Sequence, residues 1–194
     1  MSQYLERKIN SRLSGITIEE ILGGTDAAVY GGAVRDAIAG FDLHDIDIAA
    51  LPQSSRKIKQ KLINAGYRYM ETSTNNEIIA MYASLNEKRI INMPWTFIKT
   101  INEKEISIVQ VIRPRQSVIN FSDFLEQVDI TCCAVSYSPQ VGTKEHHPDA
   151  FNHCAMKSFA VLESNQQTTD RLWGRAKKLI DRGWKDITEC YKSQ

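Results

Sequence analysis

Two hydrophobic periods alternate along the chain. Tyr4, Leu5, Ile9 and Leu13 recur near helical spacing and predict an amphipathic helix over residues 3–13. A second short helix is predicted over 17–22. Thr17 is its N-cap, Glu20 lies three positions later, and Gly23-Gly24 stops it. The apolar run Ala27-Ala28-Val29-Tyr30, bounded by turns, reads as a buried strand. There follow a glycine turn at Gly31-Gly32, a short helix stopped by Gly40, and a strand carrying Asp45 and Asp47. Residues 55–65 suit a helix ended by Gly66, with Arg56, Lys57, Lys59 and Lys61 on a solvated basic face. Strands are expected at 67–70 and 77–82 around an Asn75-Asn76 turn. Trp95-Thr96-Phe97-Ile98 fits either a strand or a loop laid across the sheet. The β-branched run 105–112 is the clearest strand and ends at Arg113-Pro114. Residues 139–163 read as a connector: a loop, a helix over 150–157 and an extended segment over 158–162. Residues 168–191 read as a long helix broken at Gly183. Thr168-Thr169-Asp170 caps it, and Trp173, Ala176, Leu179 and Ile180 form its apolar stripe.

This order of elements gives an α+β fold. At 194 residues it makes one moderate domain, or a domain with a helical appendage. Composition adds little: 42% hydrophobic and 24% charged residues are ordinary for a soluble globular protein. No apolar run approaches the roughly 18–20 residues of a spanning helix, and the N-terminus lacks a signal-peptide core, so a cytoplasmic location without membrane contact is expected. The net charge of +1 argues neither for nor against a nucleic-acid partner. Cys132, Cys133, Cys154 and Cys190 form no Cys-x-x-Cys pair and read as reduced thiols. The spacing of His146, His147, His153 and Cys154 matches no standard zinc pattern.

The chemistry concentrates in residues 30–49. Two glycines between a strand and a helix let the backbone approach a phosphate, and a helix N-terminus offers free N–H groups with partial positive charge. On a strand, Asp45 and Asp47 project from one face. Two such carboxylates pack poorly and clamp Mg²⁺ well. Gly-Gly-x-Val-Arg-Asp followed by Asp-x-Asp-Ile resembles the head domain of the class II CCA-adding tRNA nucleotidyltransferases and bacterial poly(A) polymerases, within the DNA polymerase β-like nucleotidyltransferase superfamily. The bland alternative is a surface turn followed by an acidic strand end.

The resemblance implies a polymerase β-like head, a mixed or antiparallel sheet flanked by helices, over 1–140. A connector and a C-terminal helical neck packed on it would fill 141–194. In the family, the strand ending at Arg113 often has a carboxylate five positions earlier; here Ile108 stands there. Glu105, Gln110 or Asp129 could complete the metal site, or it runs on two aspartates. Residues 127–137 resemble the family's Arg-Arg-Asp-Phe-Thr-x-Asn-Ala motif: Asp129 and Thr131 match, whereas Gln127 and Val128 replace the arginines and Cys133 the asparagine. Residues 170–184 resemble the neck helix, with Arg171 and Lys177 at basic positions and Gly174 in place of the middle arginine; Arg175 and Lys178 are candidates to share the phosphate contacts.

What the resemblance implies is a metal-dependent transfer of NMP from an NTP, ATP or CTP, to an acceptor hydroxyl, first an RNA (tRNA-like) 3′ end. Asp45 and Asp47 would be the catalytic pair holding Mg²⁺ or Mn²⁺. Gly31, Gly32 and Arg35 would cradle phosphates, Asp129 would contact the ribose, and Arg171 and Lys177 the base or phosphates. A partner subunit could supply acceptor recognition. The alternatives are transfer to a protein or small molecule, or a degenerate domain that binds nucleotide or RNA as a regulator.

Overall fold

The computed structural model describes residues 1–70, 94–114, 120–126, 128–162 and 169–192. Its centre is a mixed seven-stranded sheet of order β3-β4-β5-β2-β1-β6-β7. The strands are β1 (Ala27–Tyr30), β2 (Ile46–Ala50), β3 (Arg68–Met70), β4 (Trp95–Asn102), β5 (Glu105–Ile112), β6 (Val135–Ser138) and β7 (Gly142–Glu145). β2 and β5 run parallel; the other neighbours pair antiparallel. Trp95-Thr96-Phe97-Ile98 is therefore strand. The expected strand at 77–82 and its turn lie outside the described residues. β7 forms where the sequence suggested a connecting loop, and the expected division after residue 140 falls in the turn of the β6–β7 hairpin.

Period-two alternation sorts the sheet into a dry face and an open one. Ala27, Val29, Ile46, Ile48, Ala50, Phe97, Val109, Val111, Val135 and Tyr137 point into one core. Against it pack α1 (Ser2–Asn10), α2 (Ile18–Leu22), α3 (Gly32–Ile38) and α4 (Pro52–Asn64). α2 opens on a complete capping box, Thr17 accepting from the Glu20 N–H while Glu20 accepts from the Thr17 N–H. α4 begins three residues earlier than its polar pattern suggests, because Pro52 suits the first helical position.

The open face carries Ala28, Tyr30, Asp47, Ala49, Gln110, Ser136 and Ser138, the alternate positions of the same strands. A short helix, α5 (Phe121–Leu125), covers part of it by packing Phe124 and Leu125 on Ala49 beside Tyr30. After a 3₁₀ turn at Thr131–Cys133 come α6 (Ala150–Ala155), β8 (Ser158–Phe159), α7 (Thr169–Asp181), β9 (Lys185–Asp186) and α8 (Thr188–Lys192). α7 stops where Gly183 adopts φ +84°. Its buried stripe is Ala176 and Leu179; Trp173 and Ile180, expected inside, are about half exposed, at 54% and 48%. Cys132, Cys133 and Cys154 are buried and Cys190 is exposed, none of them in a disulfide among the described residues. No helix among the described residues is long and apolar enough to cross a membrane.

Candidate nucleotidyl-transfer site

The turn between β1 and α3 is tied down before it can bind anything. The Gly31 N–H donates to the Val135 carbonyl at 2.9 Å, closing the β1–β6 ladder. Gly31 itself sits at φ 68°, ψ −122°, a conformation that a residue with a Cβ adopts at a cost. The expected role of the Gly31 N–H as a phosphate donor is thereby corrected, since that proton is spent in the sheet. Gly32 opens α3, whose first-turn N–H groups have no intrahelical acceptors.

Arg35 does not reach outward. It is buried, its Nε donates to Asp36 at 2.7 Å and its Nη1 to the Cys133 sulfur at 3.2 Å, and its guanidinium lies 5.4 Å from the centre of the Trp184 ring. Asp36 takes a second ion pair from Arg182 at 3.0 Å. Arg35 and Asp36 therefore brace the turn from below and bind it to the segment after α7. The Cys133 thiol is held low, first by the hydrogen bond from Cys132 and further by the Arg35 and Arg175 cations.

Asp47 projects from β2 onto the open face. Its Oδ1 is buried and accepts no hydrogen bond among the described residues. Burial, and then the neighbouring Asp45 charge, push its carboxyl up to about 7. A buried carboxylate oxygen without a donor, beside a second carboxylate, has the chemistry of a cation site, since a bound cation satisfies the lone pairs and removes the repulsion. Gln110 lies in register with Asp47 on the parallel β5. An amide thus occupies the neighbouring-strand position from which a third carboxylate could act. Glu105 lies on the other face of β5 and pairs with Arg12, which removes it from the site. No group of three or more His, Cys, Asp or Glu residues suited to a metal occurs among the described residues.

Asp129 is buried and pairs with Arg175, whose charge also bears on Asp47 and Tyr30. The two faces of α7 explain the choice of cation. Leu172, Arg175, Ala176 and Leu179 share the inward stripe, spaced three, four and seven apart. Lys177 points away, exposed, and pairs with Asp181 one turn on at 3.0 Å. Lys177 is therefore not gathered with the carboxylates, and Arg175 is. The side chain of Arg171 lies outside what the structure describes. Asp45, Asp47, Gly32, Asp129 and Arg175 thus converge at one end of the sheet. Thr131 is built in behind them: its Oγ1 accepts the Ala160 N–H at 3.0 Å and meets His153 Nδ1 at 2.5 Å.

A family model described as Gad2, Gabija anti-defense 2 family protein, matches residues 3–157. No curated protein matches in sequence. Among solved structures, an apo form of a tRNA-processing enzyme is similar with a TM-score of 0.54 at 17% identity, over 91% of this chain and 46% of that one. A CCA-adding enzyme in complex with ATP gives 0.54 at 16% identity, over 84% and 36%. A tRNA nucleotidyltransferase complexed with a primer tRNA and an incoming ATP analog gives 0.51 at 15%, over 76% and 39%. The chain spans less than half the length of each, and at these identities the likeness is one of fold.

Proposed function

We infer, for a chain that belongs to the Gabija anti-defense 2 family and folds as the head of a CCA-adding enzyme, that it transfers NMP from an NTP to an acceptor hydroxyl. The family is a different one from that of the CCA-adding enzymes, so the acceptor does not follow from the fold. The observation that carries the reading is Asp47 on the open face with Asp45 beside it, the buried Oδ1 of Asp47 lacking a hydrogen-bond donor among the described residues.

Asp45 and Asp47 would hold Mg²⁺ or Mn²⁺. When bound, the ion supplies charge neutralisation at the α-phosphate and the leaving pyrophosphate. The protein's own contribution is positional. The acceptor oxygen bonds to the α-phosphorus as the bond to pyrophosphate breaks, and the hydroxyl proton passes to solvent. Gly32 and the first turn of α3 approach the triphosphate without a side chain in the way. Arg175 faces it with fixed positive charge, held in place by Asp129. Arg35 keeps the turn rigid from below.

The first acceptor is an RNA 3′ end, supported by the tRNA-bound structure with the same fold. The second reading is transfer to a protein or small molecule; the family description fits neither acceptor specifically, and proteins of the Gabija system are the protein candidates it suggests testing. Incubation with each α-labelled NTP, Mg²⁺ and total RNA, and separately with Gabija proteins, tests both. Label in RNA supports the first and label in protein the second. Asp45→Ala should abolish labelling while leaving the circular dichroism spectrum unchanged. Undiminished labelling by Asp45→Ala would overturn the assignment.

A further inference from the structure

A cavity of about 960 Å³ opens on the same sheet face as Asp47 but at the other end of β1 and β2. The register places it there: its wall includes Ala27, Ala28 and Leu51, and Ala27 pairs with Ala50 while Val29 pairs with Ile48 next to Asp47. A partition separates the two regions. Phe124 and Leu125 of α5 pack on Ala49, and the Tyr30 hydroxyl donates to the Leu125 carbonyl at 2.8 Å. None of Asp45, Asp47, Asp129 or Arg175 lines the cavity.

Its lining has three parts. The floor is apolar: Ala28, Leu125 and the half-buried Phe121 ring. The wall bears the hydroxyls of Ser136 and Ser138. Ser136 already engages His146 Nε2 at 2.8 Å, and burial first and Lys144 second push that imidazole down to about 4, so it is neutral at physiological pH. The rim carries two exposed cations, Lys57 and Lys144, against one exposed carboxylate, Asp26. The first turn of the 13-residue α4 also opens here, with no side-chain cap from Leu51. One flat apolar platform, a hydroxyl-bearing wall and a cationic rim match a single base, sugar and phosphate. A bound strand would need successive aromatic platforms; among the described lining residues Phe121 supplies the single phenyl face, the His146 ring being held in the wall by Ser136. The volume lies in the range of small-molecule sites, about 300–1,000 Å³.

We propose that this cavity binds a free mononucleotide, separately from the Asp45–Asp47 centre, with the base over Phe121 and Leu125 and the phosphates towards Lys57 and Lys144. The tie between Tyr30 and Leu125 connects its wall to the residue before Gly31.

Calorimetric titration with ATP in EDTA isolates this site, because the carboxylate pair needs a divalent cation to hold a triphosphate. The expected result is one binding event. Lys57→Glu/Lys144→Glu should weaken it tenfold or more, and Asp45→Asn/Asp47→Asn should not weaken it. Both lysines are exposed, so the charge reversals should leave the melting curve of the free protein unchanged. No ATP binding in EDTA would overturn the proposal, as would binding that is lost in the aspartate variant and kept in the lysine variant. An oligoribonucleotide that binds through the two lysines where ATP does not would mark a strand groove and overturn it too. Loss of transfer with retained ATP binding in EDTA would remove the enzymatic reading and leave this one standing.

Discussion

Asp47 has a cost that the Arg175 and Arg35 cations relieve only in part. With Oδ1 buried and without a donor among the described residues, Asp47→Asn should raise the melting temperature of the metal-free protein by about 2–5 °C, equivalent to ~1–2 kcal/mol, while abolishing transfer. Thermal melts of both proteins in EDTA decide this; a destabilised variant would show that the carboxylate is satisfied. Arg175 has the opposite balance. Removing it strands the buried Asp129, so Arg175→Ala should cost ~2–4 kcal/mol, and less in an Asp129→Asn background, as a double-mutant cycle in urea would measure. His146 gives the pH dependence. Its folded pKa, about 4, lies below the unfolded value near 6.5, so the folded state binds fewer protons in that window and stability falls as pH drops through it. His146→Gln should lose fewer degrees of melting temperature than the wild type between pH 7.5 and 5. The face of Asp47 was legible in the sequence because strand periodicity fixes it, whereas Asp45 precedes β2, which begins at Ile46. Arg175 was not singled out over Lys177, because the apolar residues of α7 fit two overlapping stripes and only the core beneath selects one.

At the scale of elements, the β1–α3 turn works by backbone conformation more than by contact. A Cβ on Gly31 would meet nothing nearer than the Cys133 carbonyl at 3.9 Å, so there is room for one. The positive φ is the obstacle. Gly31→Ala should therefore destabilise by ~1–2 kcal/mol and reduce transfer through a displaced Gly32, with the loss seen by urea titration and by a raised KM for NTP. The turn, the capping box of α2 and strand β5 were all readable, since each is written in adjacent residues. β7 was missed because Gly142-Thr143-Lys144-Glu145 has no alternating apolar face; it is an edge strand held by main-chain pairing to β6. Gln110 was one of three residues the sequence offered beside the pair; choosing it over Glu105 was beyond sequence reasoning because parallel register depends on a crossover of more than fifty residues.

At the scale of the whole molecule, both ends of the described chain enter one core. Leu5, Ile9, Ile18, Ile21 and Leu22 are fully buried in the same cluster as Ala176, Leu179 and Trp184. Deleting residues 1–24 should therefore abolish cooperative unfolding as well as any activity, which a calorimetric scan of the truncated chain would reveal. The Tyr137 hydroxyl donates to Glu6 across 131 residues. Synthesis on the ribosome runs at ~5–20 residues per second, so the apolar side of α1 waits on the order of ten seconds for β6 to emerge. During that interval α1 can pack on α2 and α3, but the surface that β6 completes stays open. The yield of the protein in a cell then depends on how quickly translation proceeds through the middle of the message and on which chaperones meet the N-terminus first.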